Sequence, residues 1–117
     1  MMIQRLEADF QRVSTPSISY LLTFDPRPVL AKVKSPVLAV NGEKDLQVPY
    51  LENLAAIEDA LKSGGNKDYA VVHLPNLNHL FQTSKTGLPA EYGQIEETMA
   101  PQALEVISAW IEKRVRR

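Results

Sequence analysis

At 117 residues the chain is long enough for one domain and too short for two. Apolar residues at 44% and charged residues at 23% are ordinary for a globular protein, and a net charge of −1 gives no basic surface for nucleic acid. Cysteine is absent, which excludes disulfides and thiolate metal sites and leaves the compartment open.

Met1 to Val13 carries Glu7, Asp9 and two arginines, so it is not the core of a signal peptide. Ile3, Leu6, Phe10 and Val13 recur at helical spacing, which predicts an amphipathic helix over Met2 to Val13. Ser14-Thr15-Pro16 breaks it. Ser17 to Phe24 is predicted as a short, unusually apolar second helix. Asp25-Pro26 reads as a cap followed by proline in a first turn, with a brief helical turn over Pro28 to Val33. Val37 to Val40 is a continuous apolar run rich in β-branching, the habit of a parallel strand covered on both faces.

Pro49 opens the next helix. Leu51, Leu54, Ala55, Glu58 and Leu61 trace its apolar face, and Gly64-Gly65 ends it. Tyr69 to Leu74 is the second strand. Pro75 to Ala100 reads as a long connection with little regular structure, and loops of that length are usually functional or partly disordered. Pro101 starts the last helix, whose expected buried face is Ala103, Leu104, Ile107, Trp110, Ile111 and Val115. Lys113, Arg114, Arg116 and Arg117 close it, where cations suit the macrodipole. No apolar run approaches the roughly 20 residues needed to cross a bilayer, so no membrane partner is expected. The expected class is α/β: two parallel strands with flanking helices, organised by one right-handed βαβ crossover.

Two segments carry chemistry. Asp45 follows the first strand through Asn41-Gly42-Glu43-Lys44, and His79 follows the second through Pro75-Asn76-Leu77-Asn78. Adjacent parallel strands bring both residues to the same end of a sheet. An acid that orients a histidine base is two thirds of a hydrolytic triad. Imidazole suits the base role because its unperturbed pKa, about 6.5, lies near working pH. Taken singly, an aspartate after a strand is a turn or capping residue and a histidine in an Asn-rich turn is a surface polar group. Taken together at matching strand ends, they read as the pair. Glu43 is the competing acid and is expected to face solvent or the turn backbone. His73 lies inside the second strand and is expected to be a packed or edge histidine. A His73–His79 metal pair lacks a third ligand, so no metal is expected.

Asp25 to Arg114 resembles the C-terminal part of the α/β-hydrolase superfamily, with bacterial esterases and prolyl-oligopeptidase-like or dienelactone-hydrolase-like enzymes most similar. Three pieces carry the resemblance: Asp25-Pro26 with Val33-Lys34-Ser35-Pro36-Val37-Leu38; Asn41-Gly42-Glu43-Lys44-Asp45-Leu46-Gln47-Val48-Pro49; and Leu74-Pro75-Asn76-Leu77-Asn78-His79-Leu80-Phe81. The Asn41–Pro49 piece resembles the strand-7 turn with the triad acid, and the Leu74–Phe81 piece resembles the strand-8 turn with the histidine. Residues 1–24 would then be a lid-like helical segment and 25–117 the C-terminal portion of the hydrolase domain. The resemblance implies Asp45 and His79 as catalytic residues, a small-molecule acyl substrate for the intact enzyme, and no cofactor. Tyr20, Leu21 and Phe81 are candidates for the acyl pocket, with ordinary core or lid packing as the plainer reading.

One departure from the family is large. The nucleophile elbow Gly-x-Ser-x-Gly is missing: none of Ser14, Ser17, Ser19, Ser35, Ser63, Ser84 and Ser108 has glycines on both sides at that spacing. The expectation is therefore a C-terminal fragment of a serine hydrolase, inactive alone. The alternative is a non-catalytic interaction module built on the same half-fold. In either case the outer edge of Val37–Val40 lacks its family neighbour and is expected to pair with a second copy in a homodimer.

Overall fold

The structure, a computed structural model, describes residues 24–115. The helix expected over Met2 to Val13 lies outside the described residues, as does the one expected over Ser17 to Phe24 except for Phe24, which is not helical. In chain order the elements are α1 (Arg27–Leu30), β1 (Val37–Gly42), α2 (Tyr50–Ser63), β2 (Tyr69–Leu74), α3 (Pro89–Tyr92) and α4 (Pro101–Val115). β1 and β2 form a two-stranded parallel sheet, with Val37 opposite Tyr69 and Gly42 opposite Leu74. Bonds from Val37 N to Asp68 O (3.1 Å) and from Glu43 N to Leu74 O (2.9 Å) extend the ladder at each end.

The crossover helix is bounded by its own sequence. Pro49, extended at φ −61° and ψ 123°, sits at its N-cap. At the other end Gly65 takes φ +81°, a conformation that costs glycine nothing. Its N–H donates to Lys62 O (2.9 Å) and that of Asn66 to Leu61 O (3.0 Å), the paired bonds of a Schellman stop. Buried Asn66 then donates through Nδ2 to Val33 O (3.0 Å) and Ser35 O (2.9 Å). The end of α2 is thereby tied to the approach to β1.

α2 packs on both strands and buries Leu54, Ala60 and Leu61. Leu51 and Ala55, expected on its apolar face, are exposed. A second cluster joins Leu74, Leu77, Ala100 and Ala103, with Val40, Val72, Phe81, Met99 and Val106 packed against it. The buried face expected for α4 is realised only in part. Ala103 is buried, whereas Leu104, Ile111 and Val115 are exposed. The reason is width. A helix of 15 residues is about 22 Å long, and two strands about 5 Å apart cannot cover it.

The helical turn expected over Pro28 to Val33 starts one residue earlier, at Arg27. There the Asp25 carboxylate accepts both the Arg27 backbone N–H (3.0 Å) and its guanidinium (2.8–3.1 Å). The connection from Pro75 to Ala100 holds only α3 and an isolated bridge between Leu77 and Thr83, yet hydrogen bonds brace it throughout. No helix among the described residues is long and apolar enough to cross a membrane.

Candidate functional site

The site lies just beyond the C-terminal ends of β1 and β2. Past Gly42 the chain turns, with Asp45 N donating to Gly42 O (3.2 Å). The Asp45 carboxylate is buried, its side chain only 6% exposed. Its Oδ1 accepts the backbone N–H groups of Gln47 (2.9 Å) and Val48 (2.8 Å), an Asx-type arrangement that fixes the carboxylate as the chain enters α2. With Oδ1 so occupied, Oδ2 accepts from His79 Nδ1 at 2.9 Å.

The histidine turn is organised by Asn78, which is fully buried. Its Oδ1 accepts Leu80 N and Gln82 N, both at 3.0 Å, and its Nδ2 donates to Gln82 Oε1 (3.1 Å). Lys44 N donates to Leu77 O (2.9 Å), joining the acid turn to the histidine turn. Gly42 permits this approach, because a β-carbon on it would lie 2.3 Å from Leu77 O.

An ionised carboxylate only accepts hydrogen bonds, so the 2.9 Å contact places the hydrogen of a neutral His79 on Nδ1. Nε2 then carries the lone pair. It makes no hydrogen bond among the described residues, and the side chain is 37% exposed. A tautomer held by a buried acid, with a basic nitrogen at the surface, can take a proton from a bound hydroxyl or water. The same acid stabilises the imidazolium that forms.

Glu43 departs from its expected solvent or backbone environment. Its Oε2 lies 3.0 Å from Nδ1 of His73, whose ring is tilted against Tyr50 with centroids 5.2 Å apart. The reason is register: His73 stands opposite Asn41, one step from where Glu43 leaves β1. Each acid thus has its own histidine, and Glu43 does not compete with Asp45 for His79. His73 is exposed rather than packed into the core.

Phe81 has φ +59°, uncommon for a bulky residue, and its carbonyl accepts Ala100 N (2.8 Å). With Pro36, Val37, Leu38, Val40, Ile107, Trp110 and Ile111 it lines an apolar hollow of about 520 Å³ beside β1, to which neither Asp45 nor His79 contributes. Tyr20 and Leu21 lie outside the described residues. Hydroxyls of three of the four described serines are engaged elsewhere: Ser84 with Glu91, and Ser63 and Ser108 with carbonyls of their own helices. No group of three or more His, Asp or Glu residues among those described is arranged to hold a metal ion.

Several supporting residues escaped the sequence reading. Asn41 is buried beneath Asp45 and bonded to Asn53 of α2. Lys44 Nζ reaches Ser84 O (3.0 Å) and Lys85 O (2.9 Å). Glu91 gathers Lys85 N (2.8 Å), Thr86 N (2.9 Å), Thr86 Oγ1 (2.6 Å) and Ser84 Oγ (2.8 Å). Those donors, the Lys85 backbone first, hold the Glu91 carboxyl down to about 2. The one signal in the sequence was proximity: Asn41 and Lys44 flank the acid turn, and Asn78 precedes His79.

No protein-family model matches the chain, and no curated protein and no solved structure matches it.

Proposed function

We propose that Asp45 and His79 are the acid and base of a serine-hydrolase triad, carried on the last two strands of an α/β-hydrolase-type sheet and acting on an acyl substrate of the ester class. The observation that carries this reading is the 2.9 Å bond from His79 Nδ1 to the buried carboxylate, beyond the same end of two adjacent parallel strands. In this reaction His79 Nε2 takes the proton from a serine hydroxyl as its oxygen attacks the acyl carbon, then returns it to the leaving group. Asp45 keeps the tautomer and offsets the charge on the imidazolium. The 117-residue sequence has no nucleophile elbow, so serine and oxyanion donors come from polypeptide outside it, and the chain alone is inactive.

The test is fluorophosphonate labelling of the product of the native locus, with every segment translated alongside this chain present. A labelled serine is expected, with labelling lowered by about a thousandfold or more in His79→Ala. An unlabelled native product, or labelling indifferent to His79, would overturn the reading.

A second reading, a non-catalytic module that self-associates, is favoured by one observation. Among the described residues β1 pairs only with β2, and its Val37, Leu38 and Val40 line the apolar hollow. Light scattering over a concentration series distinguishes this property from a stable monomer.

A further inference from the structure

Asn41 is the last-but-one residue of β1, and its side chain is buried directly under the acid turn. Its Nδ2 faces three oxygens: Asp45 Oδ2 (3.4 Å), Val48 O (3.2 Å) and Gly42 O (3.2 Å). Its Oδ1 accepts from Asn53 Nδ2 on α2 at 2.7 Å. The two ends of the amide are thus read differently. If Asn41 were turned over, its oxygen would meet three acceptors, with no hydrogen bond possible at that end. The Gly42 and Val48 carbonyls can only accept, so that end fixes the orientation, and the short Asn53 bond anchors the other end of the amide to α2.

From this geometry we infer that Asn53 and Asn41 are positioning residues for the Asp45–His79 pair: Asn53 anchors the Asn41 amide to α2, and that amide donates to Asp45 Oδ2 where His79 Nδ1 meets it. The relay runs from α2 through β1 to the acid and its histidine. It rests on the proposed function for its catalytic meaning, but its physical content is a property of this chain by itself. Backbone bonds from Gln47 and Val48 restrain Oδ1 only. At Oδ2 the Asn41 amide adds a donor beside His79 Nδ1.

Asn53→Asp makes the sharper prediction. An aspartate at 53 accepts and cannot donate, so it either repels Asn41 Oδ1 or, with the amide turned over, sets that oxygen against Asp45 Oδ2 and Val48 O. Asn53→Ala removes the lock without inverting the amide. The experiment is long-range proton–nitrogen NMR on the full 117-residue chain, at a pH where both imidazoles are neutral, reading the ratio of Nδ1–H to Nε2–H tautomers at His79. His73, paired with Glu43, is the internal control. The expected result is a ratio lowered about 2- to 10-fold by Asn53→Ala and more by Asn53→Asp, with His73 unchanged in both. A merely structural role would lower the melting temperature and leave the His79 ratio where it was, which would overturn the inference. If Asn53→Asp does not fold, the Asn53→Ala ratio decides alone. Failure here is separable from failure of the hydrolase reading, because the tautomer ratio needs no nucleophile and fluorophosphonate labelling needs no tautomer measurement.

Discussion

Gly42 and Leu77 approach so closely that the Leu77 carbonyl oxygen occupies space a β-carbon at 42 would need, 2.3 Å from its ideal position. The neighbouring Asn78 carbonyl oxygen would be 2.7 Å away. The contact is between backbones, so no side-chain rotation relieves it. It lets the histidine turn fold over the end of β1 and is the reason that Asp45 and His79 can meet.

Gly42→Ala should therefore lower stability by about 3 kcal/mol, the upper part of the range for overpacking a site that cannot yield. It should also lengthen the Asp45–His79 contact. Urea denaturation checks the first and the His79 Nδ1–H resonance the second. A variant as stable as the parent would mean that the two turns separate without cost.

Asn78→Ala should cost about 2–3 kcal/mol. The amide is fully buried, and its loss leaves the N–H groups of Leu80 and Gln82 without their acceptor. Replacement by Asp keeps an acceptor for both N–H groups and should recover part of the loss. Equal effects of Ala and Asp in chemical denaturation would count against the turn as the cause.

Glu91 predicts an acid transition in the loop before α3. Its carboxyl is held at about 2 against an ordinary 4.5, so the folded loop binds that proton less readily than the unfolded chain. The stabilisation is complete above about 4.5 and is lost as pH falls toward about 2. The amide signals of Lys85 and Thr86 should titrate together near the lower value, and Glu91→Gln should abolish that titration. A midpoint near 4.5 in the parent would contradict the hydrogen-bond cluster.

The purified 117-residue chain should not react with a fluorophosphonate probe. An activated serine and oxyanion donors supply most of the rate in this chemistry, and the chain lacks the elbow that provides them. Stoichiometric labelling of any of its serines would identify a nucleophile within the chain.

Self-association is expected through the outer edge of β1. Among the described residues the sheet has two strands, which is marginal in isolation, and an edge without a neighbour is a template for another strand. A two-fold axis would pair β1 with its copy in antiparallel fashion. Ile111, exposed and lining the hollow beside that edge, is the place to perturb it: Ile111→Lys should weaken the dimer without unfolding the chain. A monomer by light scattering at micromolar concentration would refute the expectation.

The βαβ unit was legible because its signals are local. Val37–Val40 and Tyr69–Leu74 are apolar, β-branched runs, and Pro49 and Gly64-Gly65 bound the helix between them. Parallel strands with a helical crossover then bring Asp45 and His79 to one end of the sheet, whatever the details of packing. The α4 face was misjudged for the opposite reason. Leu104, Ile111 and Val115 have helical periodicity, but burial depends on what faces them, and the sheet is too narrow. Periodicity reports which side of a helix is apolar, not whether anything covers it.

The amino-acid sequence alone determined the order of elements, the two turns after the strands, and which acid and histidine those turns carry. These follow from propensity, proline and glycine placement, and the spacing of apolar residues, all of which act over a few positions. Only the tertiary structure decided that Glu43 has a histidine of its own, because contact between residues of neighbouring strands depends on their register. Register placed Glu43 beside His73, and two backbone N–H groups held Asp45 Oδ1 so that Oδ2 faces His79. The Asn53–Asn41 contact was beyond the sequence as well, since a hydrogen bond of 2.7 Å between a helix and a strand depends on how the two pack.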